Sequence, residues 1–125
     1  MASVIVAVDG PAGAGKSTVA RALAQRLGYT YLDSGAMYRC VALAVLSGSG
    51  TATAAAAQAQ IELGERVLLD GSDVTEAIRK PDVTEQASLV ATDPQVRELL
   101  VERQRTMLES GSWVAEGRDV GTVVA

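Results

Sequence analysis

The stretch Val4-Ile5-Val6-Ala7-Val8-Asp9-Gly10-Pro11-Ala12-Gly13-Ala14-Gly15-Lys16-Ser17-Thr18 decides how the rest of the chain is read. Its first five residues are apolar and mostly β-branched, as in a short parallel strand buried on both faces. Asp9 to Gly15 is too rich in glycine to continue a strand. From Lys16 the period changes. Val19, Ala20, Leu23, Ala24 and Leu27 recur every three or four residues, as on one helix face, and Gly28 stands where a C′ glycine ends a helix. Between strand and helix, Gly10 to Ser17 fits the pattern G-x-x-x-x-G-K-[ST] of a phosphate-binding loop. Glycines there permit positive φ and let backbone N–H groups converge on phosphate oxygens. A helix opening near Lys16 aims its positive dipole end at the anion. Lys16 then reaches the β- and γ-phosphates, and Ser17 offers a hydroxyl to Mg²⁺. The competing reading is a chance glycine-rich turn, and the flanking strand and amphipathic helix weigh against it. Asp9 either touches the loop backbone or simply ends the strand.

Outward from this stretch the alternation of strand and helix continues. Tyr29 to Leu32 reads as a second strand that ends at Asp33-Ser34-Gly35, and a helix follows from Ala36 to Leu46 with Cys40, Val41, Ala44 and Val45 inward. This is a βαβ unit, which implies a parallel sheet. At Ser47 the composition shifts to Gly, Ser, Thr and Ala. Thr51 to Gln60 reads as an alanine-rich helix. Ile61-Glu62-Leu63 and Arg66 to Leu69 read as a hairpin about Gly64-Glu65, with Gly71 ending its second arm. A short helical turn is expected within Asp73 to Lys80, interrupted by Pro81. Asp82 to Glu85 has capping-box spacing, which predicts a helix from Val83 to Ala91. Residues 47–91 therefore read as an insertion between two parts of one core, 1–46 and 92–125. Asp93-Pro94 is a helix start, an N-cap followed by proline at N1. That helix is expected to run to about Glu109 with Val96, Leu99, Leu100, Met107 and Leu108 inward. Gly111 closes it, and Trp113-Val114-Ala115 forms a third strand ending at Glu116-Gly117-Arg118-Asp119.

Composition narrows the chemistry. The 125 residues carry 11 Lys+Arg and 15 Asp+Glu, with no His, no Phe and one Cys. A hydrophobic fraction of 48% supports a core, and an aromatic fraction of 3% means that Val, Leu, Ile and Ala must build it. Without His, imidazole general-base and Ser-His-Asp devices are excluded. One Cys and no His leave no zinc site and no internal disulfide. The net charge of −4 argues against nonspecific nucleic-acid binding. No apolar run reaches the ~18 residues of a membrane span, and the N-terminus lacks a signal-peptide pattern. The expectation is a cytoplasmic α/β domain.

Parallel sheets bind ligands at the carboxyl ends of their strands. Asp9-Gly10, Asp33-Ser34 and Glu116 to Asp119 all place polar residues directly after apolar runs. Glu116 occupies the position of an acid that holds Mg²⁺ through water, with an ordinary solvated strand-end carboxylate as the competing reading. Arg39 and Arg118 suit a second phosphate site facing the first, because a guanidinium forks onto phosphate oxygens. Arg97 reads equally well as a solvated charge, and Arg103 and Arg105 read as solvated.

These motifs in order carry a resemblance. Asp33-Ser34-Gly35-Ala36-Met37-Tyr38-Arg39, Asp73-Val74-Thr75-Glu76-Ala77-Ile78-Arg79 and Glu116-Gly117-Arg118-Asp119-Val120-Gly121-Thr122-Val123-Val124 resemble the bacterial cytidylate kinases, nucleoside monophosphate kinases of the P-loop class. Ser88 to Ala91, Pro94 and Val96-Arg97 fit as well. The resemblance implies a three-layer α/β/α fold with a parallel sheet, of which this chain holds the N-terminal part, and a small inserted NMP-binding region. It implies transfer of a phosphoryl group from ATP to CMP or dCMP with Mg²⁺. Gly10, Pro11, Ala12, Gly13, Ala14, Gly15, Lys16, Ser17 and Thr18 would bind ATP, with Ser17 and Glu116 serving Mg²⁺. Ser34, Tyr38, Arg39 and Arg118 would surround the CMP phosphate, beside Gly117. Ser88 and Arg97 would read the cytosine edge, and Asp33 and Asp119 would order the site. Lys16, Arg39, Arg118 and Asp119 are the catalytic candidates. The expected partners are CMP or dCMP and ATP, with no nucleic acid and no membrane, on a monomer.

Two departures accompany the resemblance. The insertion shows one hairpin where the family carries a fuller sheet. Family members also run to nearly twice this length. The remaining strands, the adenine pocket and an arginine-rich lid are therefore expected to be missing, and the 125-residue piece alone is expected to be poorly active. Two alternatives stand beside this reading: a P-loop kinase of another small substrate, and a non-catalytic nucleotide-binding fragment.

Overall fold

The apolar run after Val4 forms a strand and the period-3.6 segment after Gly15 forms a helix, with residues 10–15 between them. The structure is a computed structural model. It describes residues 4–9, 16–48, 50–63, 66–109 and 111–117, with backbone alone at 8, 9, 16, 17 and 117. In chain order the elements are β1 (Ile5–Asp9), α1 (Lys16–Leu27), β2 (Thr30–Asp33), α2 (Ser34–Leu46), α3 (Ala52–Gln58), β3 (Ile61–Glu62), β4 (Leu68–Leu69) and β5 (Ser72–Asp73). A 3₁₀ turn (Ala77–Arg79), α4 (Pro81–Val90), α5 (Pro94–Leu108) and β6 (Trp113–Gly117) complete them. They divide into two compact units, residues 1–35 with 101–125 and residues 36–100.

The first unit holds a three-stranded parallel sheet in the order β1-β6-β2. Ile5 pairs with Trp113 and Thr30 with the same Trp113, so the three strands start level and run level to their carboxyl ends. The first strand thus pairs with the last, as expected for a parallel sheet built by crossover connections. Helix α1 packs on one face of this sheet. Ala20 and Ala24, one turn apart and buried, meet Val114, with Val6, Leu23, Tyr29 and Tyr31 around them. The stripe is narrower than its periodicity suggests. Val19 is 60% exposed and Leu27 also faces outward, so neither belongs to the buried face. Two neighbouring apolar residues such as Val19 and Ala20 point about 100° apart on a helix, and only the smaller one faces the sheet here. Gly28 ends α1 at φ +69, the left-handed C′ geometry its position predicts.

Several boundaries move from their sequence positions. Strand β2 begins at Thr30, one residue later than read, and α2 begins at Ser34, two residues earlier, so the Asp33-Ser34 junction is a strand passing directly into a helix. Asp93 caps α5 as expected, its Oδ1 accepting from the Gln95 amide at 2.9 Å. The buried positions of α5 are Val96, Leu100, Gln104 and Leu108, a strict four-residue stripe, while Leu99 and Met107 are half-buried. Gln104 is the polar member of that stripe, and its Nε2 makes no hydrogen bond among the described residues.

The second unit carries a three-stranded antiparallel sheet, β3-β4-β5, rather than a single hairpin. The extra strand follows a two-residue turn at Asp70-Gly71, both at positive φ (50° and 85°), the type I′ signature. Gly71 ends the second arm as read, and does so within a turn that leads into a further strand. Helix α3 is capped by Thr51, whose hydroxyl accepts from the Ala54 amide at 3.1 Å. Helix α4 starts at Pro81 with Lys80 as its N-cap, so the capping box read at Asp82 is not formed. Proline's fixed φ makes it the first helical residue, and Asp82 becomes a first-turn acid whose Oδ1 accepts from Val83 N.

Candidate functional site

The register of the first unit gathers its strand ends. Asp9 lies opposite Gly117 and Asp33 lies opposite Glu116 across neighbouring strands. Paired residues of parallel strands project to the same face, and that face returns every second residue. Tyr31, Asp33, Val114 and Glu116 therefore share the face on which α1 packs.

Glu116 is only 4% exposed, which removes its reading as an ordinary solvated strand-end carboxylate. A buried carboxylate requires donors, and two neighbours supply hydrogen bonds to this residue. The Tyr31 hydroxyl donates to Glu116 Oε2. The Ser34 hydroxyl donates to the Glu116 main-chain carbonyl at 2.7 Å in a buried setting. The Arg21 guanidinium lies 5.3 Å from the centroid of the Tyr31 ring, within cation–π range. Burial, the nearby Asp33 charge and the bond to Glu116 all push the Tyr31 phenol above its ordinary range. Tyr31 thus stays a neutral donor at any physiological pH.

Sequence reasoning missed Tyr31. Its signal lay in the pairing: with Asp33 opposite Glu116, a residue two positions back is the diagonal neighbour of Glu116, within reach of an aromatic side chain.

In the second unit, Tyr38 and Arg39 are half-buried on α2, while Arg97 is exposed in the first turn of α5. Burial raises the Tyr38 phenol, and the positive charge of Arg97 opposes that rise. Tyr38 and Arg97 are thereby within electrostatic reach of one another, two residues that the sequence separates by more than fifty positions. Ser88 is exposed on α4 and donates to the Thr84 carbonyl of its own helix at 3.3 Å. Gly10, Pro11, Ala12, Gly13, Ala14, Gly15, Arg118 and Asp119 lie outside the described residues. For Lys16, Ser17 and Gly117 the backbone places the first two at the opening of α1 and the third at the end of β6. Thr18 is exposed in the first turn of α1.

The donor chemistry suits a hard divalent cation. Mg²⁺ takes oxygen ligands, keeps several waters and usually needs only one or two carboxylates beside substrate phosphates. Among the described residues no cluster of three acidic, His or Cys side chains forms a metal cage. The buried oxygen donor Glu116 at a strand's carboxyl end fits the water-mediated mode, which needs no cage. No described helix is long and apolar enough to cross a membrane.

A parallel sheet with acids at its carboxyl edge, and a G-x-x-x-x-G-K-S segment joining its first strand to a helix, is the architecture of an α/β nucleotide-binding protein. Comparison with known proteins narrows that class. The cytidylate kinase family model matches residues 6–125. The chain is 50% identical over 129 residues to the cytidylate kinase of Caldanaerobacter subterraneus subsp. tengcongensis, covering 98% of this chain and 58% of that protein. It is 52% identical over 131 residues to the cytidylate kinase of Pelotomaculum thermopropionicum, covering 95% of this chain and 58% of the relative. It is also 51% identical over 134 residues to the bifunctional pantoate ligase/cytidylate kinase of a Synechococcus strain, where it covers 27% of the longer protein. The chain belongs to the cytidylate kinase family. It spans about 58% of the length of the first two relatives.

Proposed function

We propose that the protein transfers the γ-phosphoryl group of ATP to CMP or dCMP, giving ADP and CDP or dCDP. Family membership across residues 6–125 is the observation that carries this reading. Residues 47–91 are read as the inserted NMP-binding region, between core segments 1–46 and 92–125.

The reaction asks little of a general base. A nucleoside monophosphate is largely dianionic near neutral pH, since its second pKa is about 6. Its phosphate oxygen attacks the γ-phosphorus directly. A new P–O bond forms as the bond to the β-phosphate oxygen breaks, and ADP leaves. The chain's lack of His is compatible with this chemistry, which depends on positioning and on neutralising charge. Gly10, Pro11, Ala12, Gly13, Ala14 and Gly15 would cradle the donor phosphates with backbone amides, beside Lys16, Ser17 and Thr18. Ser17, and Glu116 through water, would hold Mg²⁺, which would supply charge neutralisation at the donor phosphates. Ser34, Tyr38, Arg39 and Arg118 would hold the acceptor phosphate near Gly117, with Asp33 and Asp119 ordering these side chains. In the structure the one Ser34 proton lies on the Glu116 carbonyl, so serving a phosphate requires that hydroxyl to rotate. Ser88 and Arg97 would read the cytosine edge. Lys16, Arg39, Arg118 and Asp119 are the proposed catalytic group. The protein is proposed to act as a monomer in the cytoplasm, where charged nucleotides are retained.

A substrate panel at fixed ATP and Mg²⁺ tests the reading on the full-length gene product. CMP and dCMP should be phosphorylated faster than UMP or AMP, and equal rates on all four would overturn the base-reading assignment. Lys16→Ala should abolish turnover while CMP binding by calorimetry stays within a few-fold of wild type. Wild-type turnover by that variant would remove Lys16 from the mechanism.

A further inference from the structure

The residue that holds Glu116 has no assigned role in the proposed reaction. Glu116 is fixed at two points: Ser34 binds its main-chain carbonyl and Tyr31 binds its carboxylate. Tyr31 is itself held on two sides. Its half-buried ring packs against the cluster formed by Ala20, Ala24 and Val114, and the Arg21 guanidinium lies over it at 5.3 Å. A phenol can donate only along its C–O–H plane. Packing of the half-buried ring against that cluster therefore sets the direction from which the carboxylate receives its hydrogen bond. A carboxylate has about four lone-pair sites, so accepting from Tyr31 does not by itself saturate it. Such an arrangement is the outer support that orients a metal-associated carboxylate.

We propose that Tyr31, clamped by Arg21, is a positioning residue that sets the Glu116 carboxylate as the acceptor for the water shell of the nucleotide's divalent cation. The inference rests on the reading of Glu116 as the acid that serves this cation. Tyr31 acts only through Glu116 and touches neither nucleotide.

The test uses Mn²⁺ as the probe and the full-length gene product loaded with a non-hydrolysable ATP analogue. Electron paramagnetic resonance gives the Mn²⁺ dissociation constant of that complex. Tyr31→Phe keeps the ring and the Arg21 contact and deletes only the hydroxyl. It should weaken Mn²⁺ binding about tenfold, the size expected for loss of an outer-shell partner. Binding of the metal-free analogue should be unchanged. In a Glu116→Gln background the same Tyr31→Phe change should be silent, within twofold. A Mn²⁺ constant within twofold of wild type for Tyr31→Phe overturns the proposal. So does an equal loss in the Glu116→Gln background, because Tyr31 would then act by a route other than Glu116. If Tyr31→Phe does not fold, Arg21→Met serves instead. It keeps the hydroxyl but frees the ring, and should weaken Mn²⁺ two- to threefold; an unchanged constant there overturns the proposal. A wild-type protein that binds no Mn²⁺ with the analogue would instead overturn the nucleotide-site reading itself, so the two failures are distinguishable.

Discussion

Ser34→Ala removes one oxygen atom from the junction where β2 passes into α2, and its cost can be worked from the geometry. The hydroxyl donates to the Glu116 carbonyl at 2.7 Å across 82 positions of sequence, in a residue 9% exposed. Loss of a typical hydrogen bond costs about 1 kcal/mol net, and a buried group left short of a partner costs about 1–3 kcal/mol. The Glu116 carbonyl has a second lone pair, so the lower part of that range applies. The void left by a single oxygen adds little. The expected destabilisation is about 1–2 kcal/mol. Urea denaturation measures it directly. With an m-value of about 1–3 kcal/mol/M, the midpoint should fall by roughly 0.3–2 M with m unchanged. Ser34→Thr keeps the hydroxyl and should lose less than half as much. A midpoint for Ser34→Ala within about 0.2 M of wild type would refute the claim that this bond ties β6 to the start of α2. The same conclusion would follow if Ser34→Thr proved as damaging as Ser34→Ala, since sterics rather than the bond would then be at work.

Two further predictions concern the second unit. The Asp73 carboxyl is held at about 2, below the ordinary carboxylate range, by the Thr75 hydroxyl and amide and by Arg66. The folded state thus binds the proton less tightly than the unfolded chain. The stabilisation is complete above the unfolded pKa and drains away as pH falls from about 4 to about 2. Amide exchange at Val67 and Thr75, taken relative to the intrinsic rate at each pH, should accelerate across that window in wild type. In Asp73→Asn it should be faster at the outset and flatter with pH; parallel profiles would exclude Asp73 as the titrating group. Gly71→Ala isolates backbone strain, because an added Cβ at φ +85 has no atom within 4 Å. It should cost about 1–2 kcal/mol from the left-handed conformation alone, read as a lower denaturation midpoint.

Much of the core was legible because its physics is local. A strand buried on both faces is a continuous apolar run, as in Val114-Ala115 of the central strand β6. The run from Val4 reads the same way, but β1 lies at the edge of the described sheet, and Val4 and Ile5 are 44% and 37% exposed. The Asp93-Pro94 pair starts a helix through its own side chain and ring. The misreadings came where two local signals competed. Pro81 and Asp82 both suit a helix start, and proline took the first helical position. Asp70-Gly71 carried a hairpin signal of its own, but β5 has only two residues, Ser72 and Asp73, with no apolar alternation to announce it. That strand is held instead by neighbours. Val67 N donates to Thr75 Oγ1, which donates to Asp73 Oδ1, and the Val74 amide bonds the Val67 carbonyl. Gln104 shows the opposite case, a polar residue on an otherwise apolar stripe whose burial no single-residue preference announces.

The candidate site depends on register more than on any one side chain. Parallel strands repeat their faces every two residues, so a slip of one residue between β2 and β6 would reverse what Glu116 meets. Tyr31 and Asp33 would then face away from it, and Leu32, fully buried on the other face, would be turned toward α1. The observed pairing is enforced from both ends. Thr30 N bonds the Ser112 carbonyl at 3.0 Å where the strands begin, and Ser34 bonds the Glu116 carbonyl where they finish. Between these ties the buried Leu32, Val114 and Ala115 leave no room for the alternative. The acid at the carboxyl edge is therefore aimed by the same packing that makes the sheet. A core change that loosened register would be expected to disturb the metal binding proposed for Glu116 before it unfolded the domain.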